Sequence, residues 1–340
     1  GVSAEVLFPN TAPPFLPSGA VSAPPPRNAW EVEYRGAGIK AHNRWMADFC
    51  KELPGRRAGF AQVFLNDVDD AVAEAKWAKE AGLRGLLLPS DHITSLQHLY
   101  NPSLDPLWAV CEELDLPVHR HQVFPSETIE EGGPGAPWVG MLEVPFMSKR
   151  AIAHMIAGGV FARFPKLKFV ITELSEAAVL PAYLDELDAF YAAGMAEHHE
   201  EGSRGYFVAP GAKALTKKPS EYFASNMWVA GPLDANFALA AGVPNTMFGA
   251  DVPHSEGPGP HTREAVRLLA DGLSSDEVDA LLATRAAEVY GFDLDELQKV
   301  ADRVGPTRAE VRTPLTEGER PRYPEDSRCP IFISAGQFRD

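Results

Sequence analysis

The chain has 340 residues, 45 % of them hydrophobic and 23 % charged, which is the composition of a globular protein with material for a large core. Asp and Glu (47) outnumber Lys and Arg (31), and the resulting net charge of -16, with no dense basic cluster, argues against nucleic acid and anionic membrane as partners. Cys50, Cys111 and Cys329 lie far apart with no C-x-x-C pair, no apolar run is long enough to span a membrane and no secretory leader is visible, so a reducing cytoplasm fits.

Taken from Gly1, residues 4–8 read as a short apolar strand, so the sequence opens mid-fold. Seven prolines (9, 13, 14, 17, 24, 25 and 26) exclude helix and central strand over 9–26, and with Phe15, Leu16 and Val21 available to pack, the stretch reads as a long ordered loop. Trp45, Met46, Phe49 and Leu53 have helical spacing over 42–53, and Pro54-Gly55 stop that helix. A strand over 58–65 follows, then a helix over 68–81 capped by Asp67 and ended by Gly82, then a buried strand over 85–89. Strand, helix, strand with short links is the signature of a parallel sheet with crossover helices.

The alternation continues with helix over 106–114, strand over 117–123, helix over 148–164, strand over 168–174, a long helix over 180–199, strand over 226–230, helix over 234–241 and strand over 243–248. Helices near 262–270 and 275–290 complete it, and a tail rich in Pro and charge follows Gly291. This makes seven strands in a pattern that most naturally holds eight. Residues 124–146, rich in Gly and Pro, read as a loop above the strand ends and a plausible lid.

Three strand ends carry chemistry. His119 and His121, two apart on one strand, point to one face, where a metal would satisfy both imidazoles. A hydrogen-bonded core histidine is the plain alternative. Glu173 ends the strand over 168–172, where a buried carboxylate needs a cation or donor; a capping or surface Glu is its alternative, with Glu176 as the solvated one of the two. Met247-Phe248-Gly249-Ala250-Asp251-Val252-Pro253-His254 runs from an apolar strand into an acid, a proline and a histidine. Asp251 alone could simply cap the next helix. Three polar groups at three strand ends favour a metal or acid–base site, since in an α/β barrel that end carries the chemistry. His42, His92, His98 and His154 have no such spacing, and Trp45 and Trp108 read as core while Trp30 and Trp138 could line a pocket.

The combination of Leu-Pro-Val-His-Arg-His at 116–121, Gly-Gly-Val-Phe-Ala-Arg-Phe-Pro-Lys-Leu-Lys-Phe-Val at 158–170 and Met-Phe-Gly-Ala-Asp-Val-Pro-His at 247–254 resembles the amidohydrolase-related branch of the amidohydrolase superfamily. These are metal-dependent TIM (β/α)8 barrels, including hydrolases and aminocarboxymuconate-semialdehyde-type and resorcylate-type decarboxylases. The resemblance runs from Gly1 to about Leu297, with 298–340 as a C-terminal extension packed on the barrel or on a neighbouring subunit. It implies His121 and Asp251 as metal ligands, and His254 as a partner of Asp251 or of substrate. At the sixth strand many members carry a histidine where this chain has Glu173, and Glu176 matches an acid that decarboxylase members place three residues further on. Gly1 to Phe8 resemble the family's second strand, so the first strand, with its pair of ligands, is expected to be absent here.

The resemblance implies one divalent ion, zinc first and manganese second, acting on a small molecule in a cytoplasmic homodimer. The first expectation is a hydrolase in which Asp251 takes a proton from metal-activated water, with Glu173 and His254 also catalytic and His119 and Glu176 beside the substrate. The alternatives are a non-oxidative decarboxylase of an aromatic or unsaturated acid, with Glu173 protonating carbon, and a degenerate barrel that binds a ligand or partner without catalysis.

Overall fold

The computed structural model describes residues 1–9, 28–89, 98–121, 133, 135–174, 179–231, 243 and 245–333. The proline-rich stretch read as a loop and the helix expected over 234–241 lie outside the described residues, apart from Pro9. Residues group into a larger unit, 6–175 with 181–228, and a smaller one, 1–5 with 176–180 and 229–340.

Strand β1 (Glu5–Leu7), of which Val6 and Leu7 belong to the larger unit, pairs with β2 (Arg57–Gly59) in a two-stranded sheet. Strands β3 (Ala61–Gln62), β4 (Leu86–Leu87), β5 (Val118–His121) and β6 (Phe169–Thr172) are neighbours in that order, and the registered pairs are parallel. The single strand expected over 58–65 is therefore two, which makes eight strands among the described residues rather than seven. The change of partner falls at Phe60, which is fully buried, between a segment that follows β1 and one that follows β4. Residues Phe60, Leu86, Leu87, Val118, Phe169 and Val170 are closed to solvent, as a parallel sheet covered on both faces requires.

Helix α1 (Ala29–Lys51) starts well before the expected 42–53. The Asn28 side chain accepts from Glu31 N at 2.9 Å and caps it, and its buried face mixes Arg35 and Asn43 with Ile39, Met46 and Cys50, so no clean apolar stripe advertises the first turns. Trp45, expected in the core, is exposed and stacks on Phe49, whereas Trp108 is fully buried in α3 (Asp105–Glu113). Helix α2 (Val68–Glu80) begins at the Asp67 cap as its sequence implies. Asn43 locks α1 to β3, accepting from Gln62 N and donating to Gln62 O, each at 2.9 Å.

Residues 136–146, read as part of a lid loop, are the first turns of α4 (Ala136–Ile156). A proline in a first turn costs no hydrogen bond, which is why Pro and Gly mislead there. Trp138, Leu142 and Phe146 on it are exposed. Gly159, at φ 71°, separates α4 from α5 (Val160–Arg163), dividing the helix expected over 148–164. Helix α6 (Leu180–Gly194) is shorter than expected, and α7 (Arg204–Ala214) and α8 (Pro219–Asn226) were not expected.

In the smaller unit, residues 229–231 of β7 (Met227–Gly231) pair in parallel with β8 (Thr246–Phe248). Helix α9 (Thr262–Leu269) precedes a segment expected as one helix that is α10 (Ser275–Asp279), a π-helical turn over Ala280–Thr284 and α11 (Arg285–Tyr290). The tail contains α12 (Leu294–Val304) and α13 (Arg308–Arg312). Cys329, Ile331 and Phe332 pack on Ala265, Leu269 and Leu281, and Val311 on Val266, Ala270 and Val278. Ile331 and Phe332 lie in a 3-10 turn, Pro330–Phe332. Among the described residues no helix is long and apolar enough to cross a membrane.

Candidate functional site

Of the residues singled out by sequence, His119, His121 and Glu173 lie in the larger unit and Asp251 and His254 in the smaller, while Glu176 lies outside the described residues.

In the larger unit, β5 is built so that His119 and His121 share a face and Arg120 takes the other, where its Nη1 donates to the Pro89 carbonyl. His119 is fully buried. Its ring stacks on Phe60, with centroids 3.8 Å apart and planes 20° apart, and its Nδ1 lies 3.2 Å from the Leu86 carbonyl. A carbonyl can only accept, so Nδ1 carries the proton. Desolvation outweighs the backbone bonds to Leu86 and Pro117 and holds the pKa down at about 3, leaving a neutral ring at physiological pH. Gly85 makes room for it, since a Cβ there would come within 2.8 Å of His119 Cε1 and 2.9 Å of Phe60 Cδ1.

His121 stands one step further along, at the end of β5, registered with Thr172 of β6. Phe8 packs across it at 66°, with centroids 5.5 Å apart. Its Nε2 lies 3.5 Å from Glu173 Oε1, and both side chains are mostly buried. That is an ion-pair distance, longer than the usual hydrogen bond. Glu173 has φ 56°, in the left-handed region. A non-glycine residue there costs about 1–3 kcal/mol, and such strain persists only where surrounding structure over-determines it.

In the smaller unit, β8 leads into a tight turn. At Gly249 a Cβ would meet the Gly231 carbonyl oxygen at 2.9 Å, and at Gly257 it would meet three carbonyl oxygens, of Ala250, Asp251 and His254, at 2.7–3.2 Å. Side chains are thus excluded at both ends of the turn. Within it Asp251 also has positive φ, 50°, and its carbonyl accepts from His254 N at 2.8 Å. The His254 Nδ1 lies 3.3 Å from Asp251 Oδ2 and 3.5 Å from Glu256 Oε1, so the half-exposed imidazole sits between two carboxylates. Asp115 and Asn245 are the other non-glycine residues with positive φ among those described, both of a type that tolerates it in turns.

Sequence reasoning missed Glu256, Phe8, Phe60 and Gly85. Glu256 is two residues beyond His254 and could have been found by extending the motif, whereas nothing in the sequence brings Phe8 to His121. Imidazole nitrogen beside carboxylate oxygen is a donor set that suits zinc or manganese, so both pairs fit a divalent ion.

Comparison with known proteins bears on what such a donor set does. The chain is 26 % identical over 271 residues to gamma-resorcylate decarboxylase of Rhodococcus jostii, covering 74 % of this chain and 75 % of that protein. It is 31 % identical over 150 residues to decarboxylase orsB of Emericella nidulans, covering 39 % of this chain and 41 % of that protein, so the match spans less than half of that relative's length. Among solved structures, 5-carboxyvanillate decarboxylase of Sphingomonas paucimobilis superposes with a TM-score of 0.60 at 24 % identity, over 77 % of this chain and 74 % of that one. The same-named enzyme of Novosphingobium aromaticivorans, complexed with manganese and 4-hydroxy-3-methoxy-5-nitrobenzoic acid, gives 0.62 at 20 % identity, over 80 % and 75 %. These likenesses show the fold, α/β of the TIM-barrel type. The Amidohydrolase family model matches residues 14–292, most of the chain, and the protein therefore belongs to the amidohydrolase family.

Proposed function

We propose that this protein is a non-oxidative, metal-dependent decarboxylase of an aromatic acid carrying a hydroxyl next to its carboxylate. The observation that carries this reading is the match to gamma-resorcylate decarboxylase along 74 % of the chain. Hydrolysis, the first expectation from sequence, has less support, because the relatives above bear the name decarboxylase.

His121 and Asp251 are the ligands we assign to one divalent ion, zinc or manganese. When bound, that ion supplies a positive charge to which the substrate's carboxylate and neighbouring oxygen are drawn. The chain's own task is a proton. The ring carbon that bears the carboxylate takes one proton, the bond to the carboxylate breaks, its electron pair returns to the ring, and carbon dioxide leaves. Asp251 Oδ2 and His254 Nδ1 face each other at 3.3 Å and can hold that proton between them, with Glu256 Oε1 3.5 Å from the same nitrogen. We also assign His119 and Glu176 to the substrate side, on the sequence pattern alone. We also propose a cytoplasmic homodimer, which sedimentation at twice the chain mass would support.

The test is turnover of 2-hydroxybenzoate-type acids in D2O by manganese- or zinc-loaded protein. Decarboxylation gives carbon dioxide and a phenol with one deuterium at the vacated carbon. Carbonyl substrates cleaved with ¹⁸O from water, and no carbon dioxide from any acid, would return the hydrolase reading to first place.

A further inference from the structure

We infer that Glu173 is itself a ligand of the ion, beside His121, and that its carboxylate biases the site toward manganese relative to zinc. The inference rests on the metal reading above but changes what Glu173 does: the sequence reading made it an acid that protonates carbon, and the geometry points to a donor for the metal.

Three observations carry it. The first is distance. His121 Nε2 and Glu173 Oε1 are 3.5 Å apart, an ion-pair distance at the outer edge of a hydrogen bond, and two ligands each about 2.1 Å from an ion at a tetrahedral angle stand about 3.4 Å from each other. Second, both side chains are mostly closed off, 13 % and 16 % exposed, so the carboxylate is not simply solvated. The third is backbone. Glu173 is the residue after β6, its position fixed by the His121–Thr172 register, and it holds a left-handed φ of 56°. An ordinary surface glutamate has no reason to stay in that conformation. An oxygen donor where an imidazole would otherwise stand favours manganese, because imidazole suits zinc and carboxylate suits the harder ion.

The experiment is metal binding rather than turnover. Metal-stripped protein is titrated calorimetrically with Mn2+ and Zn2+, and the visible spectrum of the Co2+-substituted protein is recorded, for wild type, Glu173→Gln, Glu173→Asn, Glu173→His and His121→Ala. Asn tolerates the left-handed region, so Glu173→Asn separates loss of a ligand from misfolding. The expected result is a loss of at least about 10–100-fold in Mn2+ affinity for Glu173→Gln and Glu173→Asn, with a changed Co2+ spectrum. Glu173→His should recover Zn2+ binding and raise the Zn2+ to Mn2+ affinity ratio above wild type. Wild-type affinities and an unchanged Co2+ spectrum in Glu173→Gln would overturn the inference while leaving the metal reading intact. Full binding in His121→Ala, or no ion taken up by wild type, would overturn the metal reading and this inference with it.

Discussion

At the scale of single residues, the acids at the strand ends combine chemistry with backbone strain. Asp251 is held at φ 50° with its Oδ2 3.3 Å from His254. Asp251→Asn keeps the shape and the turn but removes the charge and the proton site. It should lower kcat for decarboxylation by about 10²–10⁴-fold, the usual worth of a positioned acid–base group, with unfolding temperature almost unchanged; kcat within a factor of two of wild type would remove Asp251 from the chemistry. Glu173 gives the complementary prediction. A left-handed conformation costs a non-glycine residue about 1–2 kcal/mol, and glycine escapes that cost while losing about 0.5–1 kcal/mol of backbone entropy. Metal-free Glu173→Gly should therefore be as stable as wild type or more stable by up to about 1.5 kcal/mol in urea unfolding, while its metal affinity falls. A destabilised metal-free variant would mean that the carboxylate serves the fold rather than the site.

The elements show what a sequence can and cannot disclose. Helix α2 was legible because Asp67, the alanine stripe and Gly82 are all local signals, and β5, β6 and β8 because apolar runs end in His121, Glu173 and the turn to Asp251. What failed depends on partners. Phe60 divides one expected strand because its ring must lie under His119, a contact between residues far apart in the chain. The tail's composition, rich in Pro and charge, advertises packing but no helix, yet α12 and α13 form and Val311, Ile331 and Phe332 find apolar partners on the preceding helices. Arg267 of α9 ties this segment down, donating to the Thr313 and Pro314 carbonyls at 2.9 Å and pairing with Glu319 at 3.2 Å. The Arg267 guanidinium, with the Thr316 bonds, holds the Glu319 carboxyl down from its ordinary 4.5 to about 2. A carboxylate depressed on folding contributes stability that is fully present above its unfolded value and lost as pH falls through the folded one. The tie should therefore persist at pH 7 and disappear between about 4.5 and about 2. Arg267→Ala should return Glu319 toward 4.5 in a carboxyl-carbon NMR titration and speed proteolysis within 313–333; an unmoved titration would show that Thr316 alone depresses it.

For the molecule as a whole, the opposition between its charge and its proposed substrate yields a measurable consequence. The chain carries a net charge of -16, and an aromatic acid is an anion at neutral pH. Approach is then uphill in the long-range field, whatever a bound cation does at short range, because the two act over different distances. Raising ionic strength from about 0.01 to about 0.15 M shortens the screening length from about 30 to about 8 Å, which removes the distant repulsion but barely touches contacts of a few ångströms. It follows that kcat/KM for the decarboxylated acid should rise over that range while kcat stays constant, if binding rather than chemistry limits kcat/KM. A neutral phenol product used as a competitive inhibitor should show no such salt dependence in its inhibition constant. A kcat/KM that falls with salt would mean that cationic groups near the entrance govern approach, and the acidic composition would then reflect solubility alone.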